Sequence, residues 1–154
     1  MLAPYYRKET HGVSAHDGQV QIPLEDMMAF AHAVQIIAAA DGELSQLEMD
    51  ELVMMMIALG IPADAAGRLR EFDPKGKTLE GLIPPRYRTM GRHFIYDAIK
   101  VAAVDGYHDD ERAAVRRFGK ILEVDESVIV AIEGLVEVEA ALRSARIRLL
   151  RAGH

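Results

Sequence analysis

One apolar segment of this chain occurs twice. Residues 30–42 (FAHAVQIIAAADG) and residues 94–106 (FIYDAIKVAAVDG) each end at Asp-Gly and are followed by a glutamate, Glu48 or Glu111. Such apolar runs favour buried helices, and Asp-Gly favours a turn. Two helix–loop–helix units with similar apolar faces usually bury those faces together. The duplication therefore predicts two paired helical hairpins.

The two predicted repeats span about residues 24–60 and 86–124, with a connecting segment over residues 61–85. A long C-terminal helix is predicted over about residues 126–150, because apolar residues recur there at alternating spacings of three and four. This apolar seam consists of Val128, Ala131, Leu135, Val138, Leu142, Ala145 and Leu149. Burial against the repeats and pairing with a second copy of the chain, as a homodimer, both explain the seam.

The fold class expected from these patterns is all-α. A chain of 154 residues suits one domain, here a compact bundle of about six to eight helices over residues 24–154. Aromatic residues make up only 6% of the chain, which also favours helix over sheet. Residues 1–23 show no apolar period, so an irregular segment is expected there.

Composition and charge argue against several classes of function. The absence of cysteine removes disulfides, thiolate metal sites and cysteine nucleophiles, and it fits a cytoplasmic location. A net charge of −6 argues against nucleic acid as a partner. Since no apolar run reaches about 18 residues without a charge, no direct membrane insertion is expected.

The chain also lacks common catalytic motifs. It contains no G-x-S-x-G, H-E-x-x-H or P-loop string. His32 stands on an otherwise apolar helix, and we interpret it as a core histidine with satisfied hydrogen bonds rather than as a ligand. We therefore expect that the protein is not an enzyme.

The first Asp-Gly turn partly matches a calcium loop. Residues 41–48 fit the second half of an EF-hand, with Asp41 at its fifth position and Glu48 at its twelfth. Ile37 and Ala39 would occupy positions one and three, and neither side chain can bind calcium. A complete EF-hand is therefore rejected.

A partial cation site is still compatible with the sequence, because hard cations need clustered oxygen ligands. The candidate metal ligands are Asp41, Glu43 and Glu48 in the first corner, and Asp105, Asp109 and Glu111 in the second. His108 in the second corner would admit zinc or manganese as well as calcium. The alternative is that these residues only form turns and helix caps, since Ser45 and Glu48 have the spacing of a capping box.

The two corners resemble the TerB-like family, the tellurite-resistance group that includes the amino-terminal domain of the DjlA co-chaperones. The resemblance rests on Ala-Asp-Gly-x-Leu-Ser-x-x-Glu at residues 40–48 and on its second copy at residues 104–112, and it covers about residues 24–150. It implies an all-α bundle with acidic residues at the loops between paired helices.

The resemblance also implies a role in stress response, with binding of divalent metals. That role would fall on Asp41, Glu48, Asp105 and Glu111. The family's link to assemblies near membranes implies a protein partner that is itself associated with a membrane. The alternative is a metal-independent protein-interaction module, as in the co-chaperones.

Overall fold

The structure is a computed structural model, and it describes residues 22–151. This part of the chain contains six α-helices, three short 3₁₀ helices and no strand, so the all-α prediction is confirmed. The predicted irregular segment over residues 1–23 lies, up to residue 21, outside the described residues. None of the described helices is long and apolar enough to span a membrane.

The helices of the first repeat and of the connecting segment come first in the chain. They are α1 (Leu24–Ala38), a 3₁₀ turn (Ala39–Asp41), α2 (Gln46–Ala58), α3 (Ala63–Gly67) and a second 3₁₀ turn (Arg68–Glu71). The second repeat and the C-terminal helix follow. They are a third 3₁₀ helix (Pro85–Met90), α4 (Gly91–Ala102), α5 (Asp109–Ile121) and α6 (Glu126–Arg151).

Both Asp-Gly turns end their helices in the way that the sequence predicts. Gly42 has a φ of 111° and Gly106 a φ of 123°, a left-handed conformation that glycine adopts without the steric cost of a Cβ atom. The starts of the two central helices differ. Pro23 directly precedes α1, whereas Pro84 and Pro85 lead into a 3₁₀ helix, so α4 begins only at Gly91.

The two central helices pack against each other across the repeats. The rings of Phe30 on α1 and Phe94 on α4 stack with centroids 4.6 Å apart. Helix α2 contacts both α1 and α4, and helix α5 does the same from the second repeat. Leu52 and Phe118 are fully buried by these contacts, and burial of each such side chain contributes about 1.5–3 kcal/mol. The hairpins are therefore paired, as the duplication predicts.

The polar residues of α1 are bonded within the fold. Gln35 is fully buried, and its Nε2 donates to the carbonyl oxygen of Leu69 over 2.7 Å. The Nδ1 atom of His32 lies 2.9 Å from Oε1 of Gln35, and its ring stacks on Phe72. His32 is therefore a half-buried histidine with a satisfied ring nitrogen, as the sequence predicts, although it lies at the edge of the core rather than within it.

The first half of α6 holds this helix on the domain. Ile129 and Val136 are buried, and Glu133 accepts hydrogen bonds from Arg116 and from the hydroxyl of Tyr107. Burial acts to raise the pKa of Glu133, but the hydrogen bonds from Arg116 and Tyr107, together with the positive charge of the nearby arginines, outweigh it and hold the pKa below its usual value.

A close approach of α6 to α5 depends on a glycine. A Cβ atom added to Gly119 would lie 2.3 Å from Cδ1 of Ile129, which is far inside van der Waals contact. The absence of a side chain at this position lets Ile129 reach the core.

The face of α6 that touches the domain is not the seam that the sequence singles out. Val136 is 7% exposed, whereas Leu135, Val138 and Leu142 are 48%, 65% and 57% exposed. Burial of the seam against the repeats was one of the two explanations that the sequence allowed. Within residues 22–151, the structure does not bury it there.

Candidate functional site

Each repeat positions one glutamate by a helix start. Oε2 of Glu48 accepts the backbone N–H of Ser45 over 2.8 Å, and Oγ of Ser45 accepts the backbone N–H of Glu48 over 3.1 Å. The predicted capping box is therefore confirmed. In the second repeat, Oε2 of Glu111 accepts the backbone N–H of His108 over 2.7 Å. The same local geometry thus turns both carboxyl groups back toward the turn.

The two glutamates meet in the interior of the bundle. Glu48 is 2% exposed and Glu111 is fully buried, and their carboxyl groups lie close enough for each to shift the pKa of the other. Oε1 of Glu111 is buried and has no hydrogen-bond partner among the described residues. We call Glu48 and Glu111 the acid pair. Two buried carboxyl groups this close together cannot both be ionised unless a cation lies between them, and otherwise one of them keeps its proton.

Burial controls the protonation of the acid pair. It raises the pKa of Glu48 to about 8, against the opposing effect of the Ser45 N–H, and contact with Glu111 raises the pKa further. Burial also raises the pKa of Glu111. Glu48 therefore retains its proton at neutral pH.

Residues from both turns surround the acid pair with further charge. The carboxylates of Asp41 and Asp105 oppose ionisation of Glu111, and Asp105 also opposes ionisation of Glu48. Oδ2 of Asp41 lies 3.7 Å from Nε2 of His108, which connects the first turn to the second. The two corners are therefore close enough to act on one another electrostatically.

The remaining predicted ligands are exposed, unlike the buried acid pair. Glu43 and Asp109 are exposed, and Glu43 contacts Asp41 through its backbone N–H, which donates to Oδ1 over 3.2 Å. Asp109 lies in the first turn of α5. Among residues 22–151, no group of three or more histidine, aspartate and glutamate side chains is arranged to hold a metal ion.

Sequence reasoning treated the two corners as separate sites and so missed the contact between Glu48 and Glu111. The signal was present in the duplication itself. When two equivalent hairpins pair face to face, residues near the axis that relates them approach their own counterparts. Glu48 and Glu111 hold equivalent positions in the two repeats.

Comparison with known proteins supports the family resemblance. No family model matches the chain, and the search of curated proteins gives no match. Among solved structures, the chain is similar to a tellurite resistance protein from Nostoc punctiforme, with 28% sequence identity and a TM-score of 0.77. The match covers 99% of this chain and 93% of that chain. The predicted all-α, TerB-like fold and the resemblance to the TerB-like family are therefore confirmed.

Proposed function

We propose that this protein is a non-enzymatic, cytoplasmic stress-response protein of the tellurite-resistance type, which binds one divalent cation where its two corners meet. The similarity to a tellurite resistance protein supports the cellular role. One observation carries the cation site. Oε1 of Glu111 is buried without a hydrogen-bond partner, and a second buried glutamate, Glu48, lies close enough to shift the pKa of Glu111.

The acid pair would hold the ion, and Asp41 and Asp105 would complete its ligands. Because the described side chains do not already converge in a metal-holding arrangement, binding requires the exposed Asp41 and Asp105 to turn toward the pair. Oxygen ligands alone favour calcium or manganese, and rotation of His108 would add a nitrogen for zinc. Glu43 and Asp109 take no part in this proposal, which narrows the six predicted ligands to four.

The consequence of binding is electrostatic. The ion would replace the shared proton and neutralise carboxylates at the starts of α2 and α5 together. Since these helices belong to different repeats, the ion would change how firmly the two hairpins are held to each other. The proposed protein thus couples cation availability to the packing of its core.

Thermal unfolding with calcium, manganese or zinc tests the proposal. Glu48→Gln is the informative variant, because its amide still accepts from Ser45 and donates to Glu111 but provides no anionic ligand. Glu43→Gln removes one exposed charge from the same turn and is the matched control. At a cation concentration of about 100 Kd the wild type should gain about 2.7 kcal/mol, or roughly 5–10 °C in Tm.

The Glu43→Gln variant should show the same gain, and Glu48→Gln should show none. The proposal is wrong if none of the three cations raises the Tm of the wild type. It is also wrong if Glu48→Gln responds as strongly as the wild type.

A second candidate is a metal-independent protein-interaction module. The observation that favours it is the row of exposed apolar side chains along α6. A module of this kind would retain a protein partner in the presence of chelator. It would also retain that partner in Glu48→Gln and lose it in Leu142→Glu, which alters the exposed face.

A further inference from the structure

Large apolar side chains are exposed along most of α6. The exposed fractions reach 65% at Val138, 57% at Leu142 and 73% at Leu149. Over the rest of the described chain, the comparable side chains are scattered, at Leu24, Leu47 and Met54. A contiguous apolar row of this length on a monomer usually marks an interaction surface.

The second half of the exposed seam extends beyond the buried residues that attach α6 to the domain. Ile129 and Val136 anchor the helix, and Val136 is its last buried residue. Residues 137–151 therefore continue for about 22 Å at 1.5 Å per residue. Over this stretch the apolar spacing of three and four continues through Val138, Leu142, Ala145 and Leu149, which is the spacing that pairs one helix with another.

Charge along α6 is divided between its two halves. The first half carries Glu133, Glu137 and Glu139, and the second half carries Arg143, Arg146, Arg148 and Arg151. Glu133 and Glu139 bond to side chains of the domain, whereas Glu137 is exposed. Within residues 22–151, none of the four arginines forms an ion pair.

We propose that the seam of α6 binds the same seam of a second copy of this chain, with the two helices antiparallel. The antiparallel direction follows from charge, because it places the acidic half of each helix beside the basic half of the other. A parallel pair would set four arginines beside four arginines and would be opposed by like-charge repulsion.

The seam spacing allows several antiparallel registers, and we adopt the one that pairs the exposed residues Val138 and Leu142. Packing of each seam residue between those of the other helix places the two-fold axis near Ala140. Val138 then faces the partner subunit's Leu142, and Leu135 faces the partner subunit's Ala145. In this register Arg146 lies opposite the partner subunit's Gly134, between the acidic positions 133 and 137 of that helix. The proposal is independent of the cation site, which lies on other helices.

The oligomeric state of the full chain in solution is the first test. Light scattering coupled to size-exclusion chromatography should give the mass of a dimer for the wild type, and Leu142→Glu should give a monomer. Met54→Glu places the same charge on an exposed apolar residue of α2 and should leave the dimer intact. Circular dichroism and urea unfolding of both variants confirm that they are folded. A monomeric wild type, or a dimer that survives Leu142→Glu, overturns the proposal.

Disulfide trapping tests the direction of the helices. The chain contains no cysteine, so a single introduced cysteine can form a disulfide only with its counterpart in a second copy of the chain. Ala141→Cys lies close to the proposed axis and should form a disulfide dimer under mild oxidation. Arg148→Cys should not, because antiparallel packing holds the two copies of position 148 about 22–24 Å apart. Efficient trapping of Arg148→Cys indicates parallel helices and overturns the proposal.

Discussion

The acid pair should make the stability of this fold fall as pH rises, and Glu48→Gln should remove that dependence. A carboxyl group whose pKa is raised in the folded state binds its proton more tightly there than in the unfolded chain. Its contribution is therefore complete below the unfolded pKa of 4.5 and is lost as pH rises through the folded pKa of about 8. Folding is thus favoured on the acidic side of this window.

The size of the effect follows from the pKa of Glu48. A tenfold change in proton affinity corresponds to about 1.4 kcal/mol, so a change from 4.5 to about 8 sets an upper limit of roughly 4–5 kcal/mol. Water around the exposed Asp41 and Asp105 reduces the unfavourable interactions of the ionised pair. We therefore expect the free energy of unfolding to fall by about 2–4 kcal/mol between about pH 5.5 and pH 8.5.

Urea unfolding at intervals across this range, without divalent cations, measures the effect. Histidines also titrate there, but the difference between wild type and Glu48→Gln at each pH cancels their contribution. Glu48→Gln should match the wild type to within about 1 kcal/mol at the acidic end, since an amide mimics the protonated acid. It should be more stable than the wild type at the alkaline end. If both proteins lose stability in parallel, Glu48 does not carry the proton.

Three further changes probe the scaffold by urea unfolding. Ser45→Ala should cost about 1 kcal/mol, because it removes the side-chain cap of α2. Gly119→Ala should cost about 1–3 kcal/mol, because the new methyl group on α5 displaces the side chain of Ile129, which packs there from α6. Glu133→Gln should cost about 2–3 kcal/mol at neutral pH through its bonds with Arg116. Because the folded pKa of Glu133 is lowered from 4.5, that cost should shrink as pH falls through the folded pKa.

Each scaffold prediction has a control or a contrary outcome. Gly67→Ala adds a methyl group where nothing lies within 4 Å, so it should leave stability unchanged or raise it by up to about 1 kcal/mol. Equal destabilisation by Gly119→Ala and Gly67→Ala would contradict the packing argument. If the cost of Glu133→Gln does not change with pH, the electrostatic argument for Glu133 is contradicted. If Ser45→Ala leaves the free energy of unfolding unchanged, the side-chain cap of α2 does not stabilise the fold.

Much of the fold is predictable from the sequence because its signals are local. Asp41-Gly42 and Asp105-Gly106 end their helices through glycine conformations that no distant contact has to impose. The capping box at Ser45 and Glu48 depends on residues three apart. The pairing of the hairpins follows from the apolar faces of the two copies, and the stacking of Phe30 on Phe94 bears it out.

The candidate site is less predictable because it depends on how the repeats dock. Sequence reasoning correctly placed Glu48 and Glu111 at equivalent corners, but their mutual contact is a property of the hairpin interface. The late start of α4 at Gly91 has a different, local cause. Pro84 and Pro85 carry no backbone N–H and have restricted φ angles, and here they lead into a 3₁₀ helix rather than a continuous α4.

The orientation of α6 illustrates the same limit. Apolar spacing identifies the seam through Leu135 and Leu142. However, α6 has apolar residues on two faces, and only one of these faces packs against the domain. The contacts of Ile129 and Val136 with the domain, and the bonds of Glu133 to α5, decide which face that is. These contacts join residues that are distant in sequence, so no local pattern reveals them.

Titration calorimetry with calcium and manganese tests the central claim most directly, because it counts ions and protons together. If the two corners form one site on the acid pair, each chain should bind a single ion. Repetition near pH 7 in buffers of different ionisation enthalpy should show release of close to one proton, which the ion displaces from Glu48. Two independent ions per chain, or binding without proton release, would contradict the account.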